Sequence, residues 1–131
     1  QRYKPFTTTR RGASRTTLAE DSRVQLDVGR AEAGLLSARS FLLHTIEDAW
    51  TTIGAGAPPT PEQLDRIMLA GQQAMDAAVT AVDVAFGHAG AGAVYSGQPL
   101  ERCFRDIHTA DQHIAFSGEA FSSYARSRFG L

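Results

Sequence analysis

The sequence predicts an all-α protein, an antiparallel up-down bundle of the four-helix type, and three observations carry that expectation. Apolar residues recur at steps of three and four over two long stretches, the signature of one buried helix face. Proline and glycine fall where such stretches should start and stop. No alternation of apolar and polar residues runs long enough for a strand. With 131 residues, 43% of them hydrophobic, the chain holds enough apolar material for one core without disulfides or metals.

Residues 22–53 form the first helix in this reading. Val24, Val28, Ala31, Leu35, Ala38, Leu42, Ile46, Ala49 and Ile53 lie on one stripe. At about 1.5 Å per residue the helix reaches nearly 50 Å, so other helices must run beside it. Leu36, Phe41, Leu43 and Trp50 widen the apolar face beyond one stripe, as expected of a bundle or an oligomer interface. The segment "GAGAPPTPEQ" then breaks the chain. Thr60 is placed to cap a second helix, Pro61 suits its first position, and Gln63 completes a capping box. Leu64, Ile67, Met68, Gly71, Met75, Ala78, Val79, Val82 and Phe86 give this helix a stripe that points to core packing and to no cofactor role. The two long helices should lie antiparallel.

The glycine-rich "GHAGAGAVYSG" follows, and Pro99 opens a third helix whose apolar side carries Leu100, Cys103, Phe104, Ile107 and Ile114. Gly118 interrupts, and "EAFSSYARSRFG" supplies a short fourth helix with Phe121, Tyr124, Ala125 and Phe129 on one side and Gly130 just past its end. Residues 1–21 read as a basic arm, in which Arg2, Lys4, Arg10, Arg11 and Arg15 oppose Glu20, and residues 22–131 as the bundle domain. The chain opens on Gln1 rather than Met, and we expect a C-terminal piece of a longer chain.

The formal net charge of −1 speaks against a general nucleic-acid binder. Cys103 is the single cysteine, which rules out an intramolecular disulfide and suits a reducing cytoplasm, where we expect the protein. No apolar run approaches the roughly 20 residues of a membrane-spanning helix, so no membrane partner is expected.

Candidate chemistry concentrates in "PLERCFRDIHTADQHI". His108 and His113 are five residues apart, about 140° around a helix, and neither a Glu-x-x-His pair nor His-Glu-x-x-His occurs, so no metal site is expected. Cys103, on the apolar stripe, reads as a small buried hydrophobe without a base to activate it. Arg102, Asp106, Thr109 and His113 fall on one polar helical face, which from spacing alone is either solvated or turned toward a ligand. The glycine-rich stretch has neither P-loop nor Rossmann spacing and reads either as a flexible connection or as a ligand loop.

The whole segment "GHAGAGAVYSGQPLERCFRDIHTADQH" resembles the C-terminal helical domain of the acyl-CoA dehydrogenase superfamily, with its Gly-rich turn and its Pro-hydrophobic-Glu/Asp-Arg-x-x-Arg-Asp helix. The order of helices agrees over essentially the full chain, with residues 1–4 ending the bundle's preceding helix. Dehydrogenases of the family place a catalytic glutamate about eight residues beyond Arg105-Asp106, where this chain reads His113-Ile114-Ala115-Phe116. The likeness is therefore closest to the flavin-dependent monooxygenase branch, the oxygenase components of two-component hydroxylases. It implies that His113 is catalytic beside a reduced flavin, FMN or FAD, delivered by a separate flavin reductase for oxygenation of a small organic substrate. It also implies that the turn Gly90, Ala91 and Gly92 lies against flavin bound largely by another subunit, and that the protein self-associates as a dimer or tetramer. His108 receives no role from the resemblance and is expected at the surface. A divergent dehydrogenase using Glu119 as its base is the alternative, and a non-catalytic oligomerisation module is the alternative of another class. Without the family's preceding domains, residues 1–131 alone are expected to be inactive.

Overall fold

A computed structural model describes residues 17–90, 93, 95 and 97–131. Most of the basic arm, the reading of residues 1–4 and the expectations for Ala91 and Gly92 lie outside the described residues. Four helices follow one another: α1 Ser22–Gly54, α2 Pro61–Ala89, α3 Pro99–Asp111 and α4 Glu119–Phe129. Short 3-10 turns at Leu18–Glu20 and Ile114–Phe116 precede α1 and α4. The all-α bundle expected from the sequence is the fold observed, and none of the described helices is long and apolar enough to cross a membrane.

The helix ends are set by local chemistry. The Asp21 carboxylate accepts from the Arg23 N–H at 2.9 Å and caps α1. At α2 the expected box is present: the Thr60 hydroxyl accepts from the Gln63 N–H at 3.2 Å, and the Gln63 side-chain amide oxygen Oε1 accepts from the Thr60 N–H at 2.9 Å. Gly130 closes α4 in the left-handed region at φ 72°. The arm was expected to remain loop through residue 21, yet a 3-10 turn forms at Leu18–Glu20. The Thr17 N–H and hydroxyl both donate to the Glu20 carboxylate, and Leu18 is buried.

Contacts at both ends make α1 and α2 antiparallel. The Gln63 amide, at the start of α2, donates to the Thr52 hydroxyl at 2.8 Å and the Asp48 carboxylate at 3.1 Å near the end of α1. His88, near the end of α2, lies 3.0 Å from Asp27 near the start of α1. Between these ties the seam is lined by small residues: Ala38, Ala49, Ala70 and Ala77 are buried, Ala70 completely. Leu35, Ile46 and Ile53 of the expected α1 stripe, and Leu64 and Met68 of α2, are instead exposed. Burial falls on the alanine side of each stripe, and the larger side chains stand on its flank. With Leu36, Leu43 and Trp50 they leave an uncovered apolar side along α1, Trp50 being 72% exposed.

α2 is the element on which the rest of the fold rests. Phe86 stacks on Phe104 with ring centroids 4.2 Å apart, Asp83 meets His108, and Gln72 reaches residues 116 and 118. Glu62 then faces Arg128 at 3.8 Å. As numbering rises along α3 and α4 it falls along α2, so the two short helices lie end to end, antiparallel to it. The inward side of α3 is set by the half-buried Leu100, Phe104, Ile107 and His108. Cys103, expected among them, is exposed because it is a full 100° away from Phe104 around the helix. Ile114, also assigned to that stripe, lies beyond the helix and is exposed. His108, expected at the surface, has a side chain 36% exposed, while its ring lies against Phe104 at 4.4 Å and its Nε2 is 2.8 Å from Asp83.

Candidate functional site

The sequence placed His113 on the polar face of α3, but α3 stops at Asp111. The Gln112 and His113 N–H groups fold back on the Thr109 and Ala110 carbonyls, and His113 then adopts an extended backbone, φ −68° and ψ 139°. Arg102, Asp106 and Thr109 do remain on the helix. Arg102 pairs with Asp106 at 3.3 Å, both highly exposed, and the Thr109 hydroxyl donates to the Arg105 carbonyl. That face is exposed in this chain, and the imidazole has left it for the connection to α4.

What the connection does to His113 is chemically specific. The His113 carbonyl accepts from the Phe116 N–H at 2.8 Å, closing the 3-10 turn, and its Nδ1 accepts from the Ala115 N–H at 3.2 Å. The Phe116 ring stands edge-on to the imidazole at a centroid distance of 6.4 Å. A neutral imidazole whose Nδ1 is an acceptor carries its proton on Nε2. The turn therefore presents an exposed Nε2–H donor of defined tautomer. His88 and His108, by contrast, each spend Nε2 on an aspartate of a neighbouring helix. Among the described residues no carboxylate pairs with His113.

Behind the turn stands Gln72 of α2, which sequence reasoning missed. It is 3% exposed; its amide nitrogen donates to the Phe116 carbonyl at 3.4 Å and its amide oxygen accepts from the Gly118 N–H at 3.1 Å. Beside the turn opens a cavity of about 240 Å³ lined by Asp65 and Met68 of α2, by Ile114 and Ala115 of the turn, and by Glu119 and Tyr124 of α4. Glu119 thus faces this cavity, whose lining does not include His113.

Gly90, the described member of the glycine-rich turn, ends α2 with φ 76° and ψ −174°, a conformation that favours glycine. Its carbonyl accepts from the Ala93 N–H at 3.0 Å, Ala93 is buried, and open space lies where a Cβ would stand. The structure does not bring Gly90 and His113 together. The His113 turn docks at Gln72, and roughly 27 Å of helix, at about 1.5 Å per residue, separates that point from Gly90. Among the described residues no three His, Cys, Asp or Glu side chains gather as a metal site would require.

The family model described as acyl-CoA dehydrogenase, C-terminal domain, matches residues 2–118. An indole-3-acetate monooxygenase from Pseudomonas putida is 34% identical over 112 residues, covering 86% of this chain and 28% of the relative. A pigment production hydroxylase from Rhodococcus erythropolis is 30% identical over 119 residues, covering 90% and 30% respectively. The crystal structure of 3-HSA hydroxylase from Rhodococcus sp. RHA1 superimposes with a TM-score of 0.80 at 27% identity, over 87% of this chain and 30% of that one. The chain thus spans less than a third of the length of these relatives.

Proposed function

Because this chain belongs to the acyl-CoA dehydrogenase C-terminal domain family, we propose that it is the C-terminal bundle of a flavin-dependent monooxygenase. The protein would use FMN or FAD, reduced by a separate reductase component, and dioxygen to oxygenate a small, aromatic-type organic substrate. Three relatives whose names describe monooxygenases or hydroxylases support this reading. The observation that carries it is the His113 turn: where dehydrogenases of the family hold a carboxylate, this chain holds an imidazole with Nδ1 occupied and Nε2–H without a partner among the described residues.

The residues present fit a flavin in two respects. Gly90 offers bare backbone with open space around it, which lets a flat or anionic group approach closely. His113 offers an exposed donor that is not engaged by any carboxylate of the described chain. Reduced flavin, when bound, supplies the electrons that activate dioxygen. The contribution of His113 is a hydrogen bond from Nε2–H to negative charge as it develops on oxygen, at a site made dry by the parts of the protein that close over it. A carboxylate there would repel the same charge. The Ala115 N–H holds the ring so that the donor needs no reorientation when the charge appears.

The separation of Gly90 from His113 gives the two positions different tasks. Neither can reach one ring system within a single chain, so His113 serves one flavin and the Gly90 turn, with Ala91 and Gly92, serves the flavin of a second subunit. The apolar flank of α1, with Leu36, Leu43 and Trp50 uncovered, supports the self-association this requires.

The test uses the full-length protein, reduced flavin, air and aromatic substrates including indole-3-acetate. Wild type is expected to form oxygenated product, and His113→Ala to consume reduced flavin while releasing hydrogen peroxide, with product falling about a hundredfold, the usual effect of losing one preorganised donor. Product formation undiminished in His113→Ala, or acyl-CoA oxidation that depends on Glu119, would refute the proposal.

A further inference from the structure

We propose that Gln72 is the positioning residue of this site: its buried amide, clamped between the Phe116 carbonyl and the Gly118 N–H, fixes the turn that aims His113. The inference rests on the reading of His113 given above. It starts from a difference between the two buried polar side chains among the described residues, Thr45 and Gln72. Thr45 satisfies itself within its own helix, its hydroxyl donating to the Leu42 carbonyl at 2.9 Å. Gln72 bonds Asp76 one turn along its own helix and also reaches across the fold to residues 116 and 118.

The orientation of the amide is determined by its surroundings. Its nitrogen donates to the Asp76 carboxylate at 2.9 Å, one turn along α2, and the second N–H is directed to the Phe116 carbonyl at 3.4 Å. That leaves the amide oxygen for the Gly118 N–H at 3.1 Å. A flipped amide would set its nitrogen against the Gly118 N–H and its oxygen against both the Asp76 carboxylate and the Phe116 carbonyl, three repulsive contacts, of which the one with charged Asp76 weighs most. Leaving such an amide buried without partners is costly, and the residue therefore dictates where residues 116 and 118 must lie.

From there the constraint passes to the imidazole through bonds already described. Phe116 is tied to the His113 carbonyl through its N–H, and Ala115, one residue earlier, holds Nδ1. Residues 113–116 thus form one hydrogen-bonded unit, and among the described residues its anchorage and that of Gly118 to α2 by hydrogen bonds ends on Gln72 alone. Gly118, at φ 80°, is the N-cap of α4, and its left-handed backbone joins the turn to that helix while its N–H meets the amide oxygen. A displacement of about 1 Å at a reacting group is enough to cost up to a hundredfold in rate, so an anchor behind the turn has leverage on the chemistry without touching it.

The experiment compares Gln72→Met, which preserves length and burial but removes both polar ends, with Thr45→Val, which removes the other buried polar group. In flavin-free full-length protein, hydrogen–deuterium exchange of the Ala115 and Gly118 amides is expected to rise at least tenfold in Gln72→Met and to stay unchanged in Thr45→Val. With reduced flavin and substrate, Gln72→Met is expected to lose about tenfold in product per flavin oxidised, at unaltered flavin affinity, whereas Thr45→Val couples as wild type. Asp76→Ala, which releases the amide orientation without emptying the core, should shift both readouts in the same direction by less, and decides the matter if Gln72→Met does not fold. Wild-type exchange at residues 115 and 118 overturns the proposal. So does fast exchange with intact coupling when His113→Ala is uncoupled, because the anchor then holds a turn whose aim does not matter. If His113→Ala itself couples normally, the functional reading fails first and the positioning role falls with it.

Discussion

Removing the Phe104 ring should cost about 2 kcal/mol, because that ring joins α3 to α2. It stacks on Phe86 at 4.2 Å and supports His108 at 4.4 Å. Full burial of a phenylalanine is worth roughly 1.5–3 kcal/mol, and Phe104 is half-buried, so truncation forfeits about half of that. Loss of the ring pair adds about 1 kcal/mol. The His108–Asp83 contact that the ring supports is partly exposed on both sides and adds little. Urea unfolding of wild type, Phe104→Ala, Phe86→Ala and the double variant separates these contributions. A coupling of about 1 kcal/mol between the two rings is expected, since residues in contact do not behave additively. Single-variant losses that simply add, to within about 0.3 kcal/mol, would show that the stacking holds nothing and that α3 is fixed in some other way.

Other expectations follow from the caps and turns. Thr60→Ala should cost about 1 kcal/mol in the same assay by removing the hydroxyl that receives the Gln63 N–H; no loss would mean that the box is idle. Gly118→Ala finds open space around the new Cβ but a backbone at φ 80°, so its cost of about 1 kcal/mol should be purely conformational, and Gly118→Asn, which tolerates that region, should cost less. The Thr17 backbone N–H and then its hydroxyl hold the Glu20 carboxyl below the ordinary value of 4.5. A depressed folded-state pKa contributes stability that is complete above the unfolded value and is lost as pH falls through the folded value. Stability differences between wild type and Glu20→Gln, followed by acid titration, should therefore be constant well above pH 4.5 and close progressively as pH falls through that value and below it. A gap that widens in acid would contradict that sign.

Much of the fold could be read because its punctuation is local. Thr60, Pro61 and Gln63 define the start of α2 within four residues, and Gly130 supplies the left-handed turn that ends α4. The end of α3 carried no such mark. "ADQH" contains neither glycine nor proline, so a periodic count carried His113 onto the helix, whereas Gln112 and His113 close it by folding back on Thr109 and Ala110. The same count put Cys103 inside, because helical phase is settled by which neighbours Phe104 and His108 meet across the interface. Gln72 was illegible for a stronger reason: its partners in the turn lie more than forty residues downstream, and its neighbour Gln73 is exposed. His88 and His108 likewise acquired their aspartates only when α1, α2 and α3 came together. The candidate site was recognised through the likeness of "RDIHTADQH" to a family segment; the tautomer and the anchoring of that histidine emerge only from the fold.

The central claim is that His113 Nε2–H is aimed at flavin. A crystal structure of the full-length protein with bound flavin tests it most directly. The account predicts Nε2 within hydrogen-bonding reach of the space beside the reactive edge of the ring, Nδ1 still accepting from the Ala115 N–H, and the Gly90 turn lying against the flavin of a second subunit. An imidazole turned to bulk solvent, with the flavin ring bordered by Glu119 instead, would contradict it.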